Sequence, residues 1–300
     1  MTTVAPEGPV WVVVAHYGAP EPTVRLVAAL RSATVTPARI VLVDNQGDLA
    51  VDEDDVVSVS RPGFNSGFGA AHARGVAAAL AGGAAWIWLL NNDAEPAPDC
   101  LERLIAAGAA TPRAGLLSPL IRYRDDGACW YAGGAVSPRT LSVTHLTSPP
   151  HPQPYATGFV TGCAPLLSAG AARDLAPLDD GLFMYYEDVD WSLRAVRGGW
   201  RLLVVPCAVV LHDVPREDGR RVFSDAAIYY MTRNRLLVAR QLGGMALPAV
   251  AGAAWAGKQL LKSPSRAAAT RRLRAWAHGL RDGVAGRRGP APALIGGRQA

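Results

Sequence analysis

The sequence between residues 85 and 96, AWIWLLNNDAEP, decides the fold of this chain. Its first six residues, Ala85–Leu90, form an uninterrupted apolar run that is typical of a strand buried on both faces. The polar triplet Asn91–Asn92–Asp93 follows directly. Open α/β sheets bind ligands beyond the carboxyl ends of their strands, so this triplet is predicted to lie at a binding site.

Apolar runs and helical stretches alternate through the first half of the chain, which predicts an α/β fold around a parallel sheet. The other apolar runs are Val10–Ala15, Arg39–Asp44 and Gly115–Pro119. The helical stretches are Pro22–Ser32, Gly67–Ala81 and Asp99–Ala110.

The second half of the chain changes character. Residues 122–157 are rich in Gly, Pro, Ser and Tyr, which indicates hairpins. A helix is predicted at Glu187–Gly199, followed by two strands at Arg201–Val205 and Ala208–His212. From Ser224 onward the pattern is helical, with breaks at residues 243–244, 263–264 and 282–283. We therefore expect a catalytic α/β domain over residues 1–220 and a C-terminal helical region over residues 221–300.

The composition indicates a folded protein of the cytoplasm. Half of the 300 residues are hydrophobic and 18% are charged. The four cysteines lie tens of residues apart without CxxC spacing, which argues against disulfides or structural zinc. The N-terminal MTTVAPEGPVW lacks the pattern of a signal peptide, and the apolar stretch Gln241–Gly257 is interrupted by Pro248 and glycines.

The net charge of +5 is unevenly distributed. Residues 258–300 contain ten Lys and Arg against Asp282 alone, a net +9, so the preceding residues carry −4. Such basic helices are predicted to contact an anionic surface, for example peripherally at the inner face of the cell membrane, where a lipid-linked acceptor would reside. An alternative that the sequence supports equally is that these helices pack on the core of the protein or on a second subunit of a homodimer. Nucleic acid is not an expected partner, since no nucleic-acid motif accompanies the tail.

Acidic residues end two of the apolar runs, Asp44 in VLVDN and Asp93 in WLLNNDAEP. Asp93 is a candidate ligand for Mg²⁺ or Mn²⁺, which would neutralise the diphosphate of a nucleotide. Asp44 is a candidate acceptor of hydrogen bonds from a base or ribose, and His212 is a candidate nitrogen ligand of the metal. Each residue also fits a structural role, the aspartates as caps and the histidine as a packed side chain.

Three carboxylates open a helix in MYYEDVDWSLRA, those of Glu187, Asp188 and Asp190. The positive end of the helix dipole favours acidic residues there, which accounts for part of the pattern. Three acids exceed what capping requires, and their repulsion predicts a raised pKa for at least one. We expect Asp188 to be the general base that accepts the proton of an acceptor hydroxyl, with Glu187 as a second catalytic candidate.

Nine segments, in order along most of the chain, resemble glycosyltransferase family 2, especially its bacterial rhamnosyltransferase-like branch. The segments are VVVAHYG, VLVDN, GFNSGFGAAHARG, WLLNNDAEP, TGCAPLLS, MYYEDVDWSLRAVRGGWR, VPCAVVLH, YYMTRNRLL and HGLRDGVAGRRG. The resemblance implies the glycosyltransferase A fold, a Rossmann-like nucleotide-binding mixed sheet flanked by helices, here with a C-terminal helical appendage. It also implies sugar transfer from a nucleotide-sugar donor with inversion at the anomeric carbon.

The resemblance further implies roles for individual residues. Asp93 would bind the divalent metal with His212 as a further contact, and Asp188 would be the catalytic base. The residues implied to contact the nucleotide or donor are Ala15, His16, Tyr17, Asp44, Asn65, Gly67, Asn92 and Arg233. The donor suggested by this resemblance is dTDP-rhamnose or a UDP- or dTDP-hexose, and the acceptor is a small molecule or a lipid-linked saccharide.

Two other functions remain open at this level. Nucleotidyltransferases that make sugar nucleotides share the α/β layout, but their glycine-rich basic loop is replaced here by HYGAPEP. A non-catalytic nucleotide-sugar-binding protein is kept open by Asn91, where many relatives have Asp. A nicotinamide enzyme is disfavoured, because His72 stands where a glycine would complete the GxGxxG motif that begins at Gly67.

Overall fold

The computed structural model describes residues 8–292, except residues 177, 215, 218, 219 and 222. The first seven residues of the N-terminal segment considered above, and Arg298 of the basic tail, lie outside the described residues. A ten-stranded mixed sheet forms the centre and helices cover both of its faces. The α/β class expected from the sequence is confirmed.

The strands are β1 (Val10–His16), β2 (Arg39–Asp44), β3 (Val57–Ser60), β4 (Trp86–Asn91), β5 (Ala94–Pro96), β6 (Ala114–Tyr123), β7 (Cys129–Tyr131), β8 (Gly134–Val136), β9 (Val143–His145), β10 (Tyr155–Ala156), β11 (Leu166–Ser168), β12 (Arg201–His212), β13 (Arg216–Glu217) and β14 (Arg220–Arg221). The helices are α1 (Pro20–Arg31), α2 (Phe68–Ala81), α3 (Cys100–Ala109), α4 (Ala169–Leu175), α5 (Glu187–Arg197), α6 (Asp225–Gln241), α7 (Ala246–Leu261) and α8 (Arg266–Val284).

The main sheet runs in the order β10-β12-β6-β11-β4-β1-β2-β3, with β5 paired to β12 and β7 paired to β6. Strands β1 to β4 are parallel, as the sequence predicts. The short strand β11 is antiparallel to both β4 and β6, which confirms the mixed sheet that the family resemblance implies, whereas the apolar runs alone indicated a parallel one. The direction of β11 depends on the route by which the chain enters the strand, and the apolar pattern of its three residues does not predict that route.

Two predicted breaks are absent. Residues 201–212 form the single strand β12, in which an irregular register between Val205 and Val209 accommodates Pro206. Helix α8 continues through Asp282 and Gly283 to Val284. The glycine is used for a close approach of α8 to α6 and does not end the helix. A Cβ on Gly283 would lie 2.9 Å from the carbonyl oxygen of Arg233.

The two faces of the sheet bury alternate side chains of the same strands. Val12 and Val14 of β1 pack on one face against Leu26 of α1. Val13 packs on the other face, in a cluster that includes Val76 of α2. This two-sided burial explains why the strands are continuous apolar runs, and it leaves the strand ends as the place for polar chemistry.

Helices α6, α7 and α8 follow the sheet region and pack against one another. Among the described helices, none combines the length and the apolarity that crossing a bilayer requires. Helix α6 also contacts the 3-10 turn Asp180–Leu182, which leads to the acidic start of α5. The division of the chain near residue 220 stays a prediction.

Candidate active site

The carboxyl ends of β1, β2 and β4 meet at one edge of the sheet. His16 of β1 lies opposite Asp44 of β2, and Ala15 lies opposite the last residue of β4. Just beyond β4, the side-chain amide of Asn92 donates to the carbonyl oxygen of Tyr17 at 3.2 Å. The structure therefore brings together five of the residues that the sequence assigns to the donor.

The buried carboxylate of Asp44 shapes the turn after β2. Its Oδ1 accepts hydrogen bonds from the backbone N–H groups of Gln46 and Gly47, at 3.0 and 2.7 Å. Its Oδ2 accepts from the backbone of Leu49 at 3.1 Å. This is the capping role that the sequence left open, and it leaves about one of roughly four acceptor positions for a ligand.

The buried imidazole of His16 stands beside this turn. Its Nδ1 lies 2.7 Å from the hydroxyl oxygen of Thr23, which fixes the orientation of the ring. Its Nε2 lies 3.6 Å from Oδ1 of Asp48, an exposed carboxylate. One ligand atom from each of His16, Asp44 and Asp48 lies within 4.8 Å of the others.

The loop before α2 is locked by asparagine side chains. The Oδ1 of Asn65 accepts from the backbone N–H of Gly67 at 2.9 Å, and Asn45 Oδ1 accepts from the backbone N–H of Ser66 at 3.1 Å. Gly67 has φ +87°, and a Cβ there would lie 2.5 Å from the carbonyl oxygen of Phe183. Only glycine fits this close approach without strain. Asn45 directly follows Asp44, and the sequence analysis did not single it out.

Asp93 and His212 meet where β5 pairs with the end of β12. The Oδ1 of Asp93 lies 3.1 Å from Nε2 of His212, and Asn91 Nδ2 lies 3.2 Å from the same nitrogen. Burial disfavours the charged imidazole, but the neighbouring Cys163 sulfur and the Asp93 carboxylate outweigh it and raise the pKa of His212 to about 10. Cys163 had no place in the sequence analysis of the site.

Two clusters could hold a divalent cation, and the Asp93–His212 pair fits it better. In the cluster of His16, Asp44 and Asp48, hydrogen bonds already occupy most of the Asp44 carboxylate. In contrast, the buried Asn91 Oδ1 accepts no hydrogen bond from the residues described, and the buried Asp93 Oδ1 has His212 as its neighbour at 3.1 Å. Oxygens in that state suit Mg²⁺ or Mn²⁺, which bind few protein carboxylates together with phosphate and water.

The turn before α5 has a strained backbone. Phe183, Tyr185 and Tyr186 have φ values of 67°, 68° and 74°, a left-handed region that costs non-glycine residues on the order of 1 kcal/mol each. The side-chain amide of Asn234 on α6 lies 2.8 Å from three backbone carbonyls of this turn. Helix α6 therefore helps to hold the geometry in which α5 begins.

Asp188 lies in the first turn of α5, directly after the strained turn, and is partly exposed. Its Oδ2 accepts from the backbone N–H of Gly162 at 3.1 Å, and its Oδ1 accepts from that of Val189 at 2.9 Å. Neighbouring Glu187 is buried, and burial together with the Asp188 carboxylate raises its pKa well above the usual value. The expected raised pKa among the three acids is thus found on Glu187.

Asp190 has a different environment. Burial raises the pKa of its carboxyl, and the hydrogen bond from Arg194, 2.8 Å long, opposes that shift. This carboxylate is engaged in an ion pair within α5. Its contacts are those of a structural acid.

The structure does not bring Arg233 to the sheet edge formed by the carboxyl ends of β1, β2 and β4. Its guanidinium is fully buried, and it donates to the carbonyl oxygens of Leu182 and Gly289 and to the side chain of Asn234. Arg233 thus ties α6 to the turn before α5. Two residues further along the same helix, Arg235 faces a cavity instead. The sequence analysis gave Arg235 no role, although it stands in the quoted segment YYMTRNRLL.

The cavity has a volume of about 590 Å³ and lies between the sheet region and helices α6 and α7. Asp188 lines it, together with aromatic side chains that include Trp130 and Trp255. Arg235 and Lys258 also line it. This volume and mixed lining suit a small organic ligand.

One short segment connects the cavity to the Asp93–His212 pair. The N–H of Gly162 binds Asp188, while the carbonyl oxygen of the next residue, Cys163, accepts from the backbone N–H of Asn91 at 2.9 Å. The ring of Trp130, which lines the cavity, also packs 5.2 Å from the ring of His212 between centroids. The segment Gly162–Cys163 and the ring of Trp130 therefore connect Asp188 to the surroundings of the Asp93–His212 pair.

Comparison with known proteins gives a family match and a relative of 28% identity, found in two strains. The model of glycosyl transferase family 2 matches residues 11–175. The N-acetylglucosaminyl-diphospho-decaprenol L-rhamnosyltransferase of Mycobacterium tuberculosis, in strains CDC 1551 / Oshkosh and ATCC 25618 / H37Rv, is 28% identical over 253 residues. This alignment covers 75% of the present chain and 82% of the relative.

Solved glycosyltransferase structures have the same fold. GalNAc-T7 with UDP, GalNAc and Mn²⁺ superposes with a TM-score of 0.60 at 20% identity, over 78% of this chain and 48% of that one. The mannosyltransferase PcManGT from Pyrobaculum calidifontis, in complex with GDP-Man and Mn²⁺, gives 0.53 at 16% identity, over 91% and 76%. Staphylococcus aureus TarS gives 0.56 at 14% identity, over 96% and 50%. The chain thus spans about half the length of the GalNAc-T7 and TarS chains. At these identities the likeness shows the glycosyltransferase A fold and nothing finer.

Proposed function

The chain belongs to glycosyl transferase family 2 and is a glycosyltransferase, and we propose that it transfers a sugar from a nucleoside-diphosphate donor to an acceptor hydroxyl with inversion. The observation that supports this proposal most is the adjacency of Asp188 and the Asp93–His212 pair through residues 162 and 163. A nucleotidyltransferase or a non-catalytic binding protein has no need of that pairing, and family membership favours neither.

The donor is proposed to lie along the edge formed by β1, β2 and β4. His16, Asp44 and the Asn65–Gly67 loop would border the nucleoside, and Asn92 would lie beside its diphosphate. Asp93 and His212, with Asn91 beside them, would hold the divalent cation. When bound, the cation supplies positive charge that stabilises the departing diphosphate.

Asp188 is proposed to be the general base. The acceptor hydroxyl would enter the cavity and give its proton to the Asp188 carboxylate as its oxygen bonds to the anomeric carbon. The bond between that carbon and the diphosphate breaks on the opposite face, which inverts the configuration. Hydrogen bonds from Gly162 and Val189 orient the carboxylate. Glu187 is buried, whereas Asp188 is partly exposed and lines the cavity, so Asp188 is the carboxylate that an acceptor can reach.

The donor and acceptor are proposed from the named activity of the mycobacterial relative. That protein is an L-rhamnosyltransferase whose acceptor carries decaprenol. We propose dTDP-rhamnose as the first donor to test and a lipid-linked saccharide as the acceptor. A lipid-linked acceptor would place the protein at the inner face of the cell membrane, with the basic surface of α7 and α8 toward anionic lipid.

A donor screen tests the proposal. Calorimetry with dTDP-, UDP- and GDP-sugars, each with and without Mn²⁺, is expected to show selective binding of one nucleotide that strengthens with metal. That gain is expected to vanish in Asp93→Ala and to persist in Asp52→Ala, an exposed acid in the loop between β2 and β3. Transfer to an acceptor should then give a product of inverted anomeric configuration by NMR. A chain that binds no nucleotide sugar with metal present, or that retains configuration, contradicts the proposal.

Membrane contact is tested separately by vesicle co-sedimentation. The intact protein is expected to sediment with vesicles containing anionic lipid at low salt and to be released at high salt. Sedimentation in neither condition would contradict the membrane contact without affecting the proposed chemistry. Gel filtration in the absence of vesicles would show whether a homodimer uses the same surface.

A further inference from the structure

Arg235 is a buried cation that forms no ion pair with a described carboxylate. Its side chain is 5% exposed, and no carboxylate of the described residues forms an ion pair with it. Its Nε donates to the phenolic oxygen of Tyr186, and its Nη1 reaches Ser142 Oγ at 3.5 Å. Nη2 donates to no described residue. A buried charge without an ion-pair partner is costly, so an arginine that lines a cavity in this state suits an anionic ligand.

A second cation stands at the same cavity. Lys258, on α7, lines the cavity and is exposed, and it makes no ion pair with the described part of the chain. The lysine comes from α7 and the arginine from α6, so the two charges approach the cavity from different helices. Arg and Lys together are the usual partners of phosphate groups, the first by paired N–H donors and the second as a point charge.

The position of these cations separates them from the proposed donor site. The Asp93–His212 pair lies beyond Trp130, which packs against His212 and also lines the cavity. Asp188 shares the cavity with both cations. An anion held by Arg235 and Lys258 would therefore belong to the molecule whose hydroxyl meets Asp188. The aromatic ring of Trp255 also lines the cavity, where it can stack on the apolar face of a sugar.

We propose that Arg235 and Lys258 form an anion subsite for the acceptor, which is a saccharide with a diphosphate on the same sugar whose hydroxyl reacts. This inference rests on the proposed function. Apolar surface borders the subsite, since Leu261 lies three residues after Lys258 on the same helix and is 88% exposed. The diphosphate could be carried by a lipid or by a free sugar diphosphate, and the acceptors used in the test distinguish these sources.

The test compares three acceptors with the intact protein, dTDP-rhamnose and Mn²⁺. They are N-acetylglucosaminyl diphosphate with a short prenyl chain, the same sugar diphosphate without lipid, and the octyl glycoside of N-acetylglucosamine. The variants are Lys258→Gln, Lys258→Arg and Arg235→Lys. Lys262→Gln is the matched control, because Lys262 is exposed on the next turn and does not line the cavity. Donor hydrolysis without acceptor is measured for each protein.

The wild-type protein is expected to prefer a diphosphate acceptor over the octyl glycoside. In Lys258→Gln this preference, the ratio of the two kcat/KM values, should fall about tenfold through KM, the loss of one charge-assisted contact. Lys258→Arg should restore most of it, and Lys262→Gln should match the wild type. Lys258→Gln tests the inference even if Arg235→Lys fails to fold. Use of the prenylated acceptor alone would identify a lipid headgroup as the source.

Three results would overturn the inference. The first is a wild-type protein with no preference among the acceptors. The second is an equal loss in Lys258→Gln for all acceptors and for donor hydrolysis, which would assign the lysine to the donor diphosphate. The third is donor hydrolysis by the wild type without use of any diphosphate acceptor. This result would contradict the acceptor subsite but not the proposed function. A wild type that neither transfers nor hydrolyses any nucleotide sugar instead contradicts the proposed function itself.

Discussion

Replacement of Asp188 by asparagine tests the proposed base most directly. The substitution keeps the size and shape of the side chain but removes its ability to accept a proton. If Asp188 is the base, kcat is expected to fall by a factor of about 10² to 10⁴, the usual contribution of general base catalysis. Donor binding should be unchanged, because the donor is placed on the Asp93 side of residues 162 and 163.

The same substitution has a stability effect that follows from two hydrogen bonds. Both carboxylate oxygens of Asp188 accept backbone N–H groups, one from Gly162 and one from Val189. Whichever way the amide of asparagine turns, its NH₂ group faces one of those donors. Leaving one such donor unsatisfied costs about 1–3 kcal/mol, which is equivalent to a fall in Tm of several degrees.

The assay measures kcat by release of the nucleoside diphosphate, donor Kd by calorimetry and Tm by calorimetric scanning. Asp190→Asn is the matched control: it lies in the same helix turn and pairs with Arg194, so it should lose stability without a comparable loss of turnover. If Asp188→Asn keeps more than about a tenth of kcat, another group takes the proton. Equal loss of turnover in the two variants would assign the defect to folding.

Three further variants probe the surroundings of the base. Gly67→Ala should destabilise the protein by about 2–4 kcal/mol in denaturant titration and weaken donor binding, because φ is +87° and the new Cβ would clash with Phe183; unchanged stability contradicts the fit. Glu187→Gln should be more stable than wild type at high pH. A carboxyl with a raised folded pKa contributes stability that is lost as pH rises through that pKa, so equal pH profiles contradict the burial argument. Arg233→Met should lower stability by about 2–4 kcal/mol, since two carbonyls lose a charged donor, and a selective loss of donor affinity at full stability would return Arg233 to the donor site.

The sequence could predict the sheet edge formed by the carboxyl ends of β1, β2 and β4, because short-range patterns determine it. Apolar runs buried on both faces give strands β1, β2 and β4, and their carboxyl ends must share an edge when the strands are parallel. The positions of Asp44 and Asp93 follow from that alone. The direction of β11 could not be predicted, because three residues carry no periodic signal and their orientation depends on the route of the chain.

Helix α6 shows why the sequence could not distinguish Arg233 from Arg235 as the arginine that faces the cavity. Residues 233 and 235 are separated by about 200° around a helix, so one faces the core of the molecule when the other faces the cavity. Most of α6 is buried on all sides, and a helix without an exposed face gives no amphipathic pattern to orient it. The choice between Arg233 and Arg235 requires knowledge of what packs around the helix.

The strained turn before α5 connects the remaining observations. No glycine marks it, so its three left-handed residues could not be read from Phe183–Tyr186. The turn persists because the loop at Gly67 packs against Phe183 on the donor side, while Asn234 of α6 binds its carbonyls from the other. Strain maintained from two sides places Asp188 between them. The C-terminal helices thus support the turn that carries the proposed base and, through Arg235 and Lys258, form part of the wall of the cavity that Asp188 lines. In the proposed mechanism these helices therefore take part in binding the acceptor.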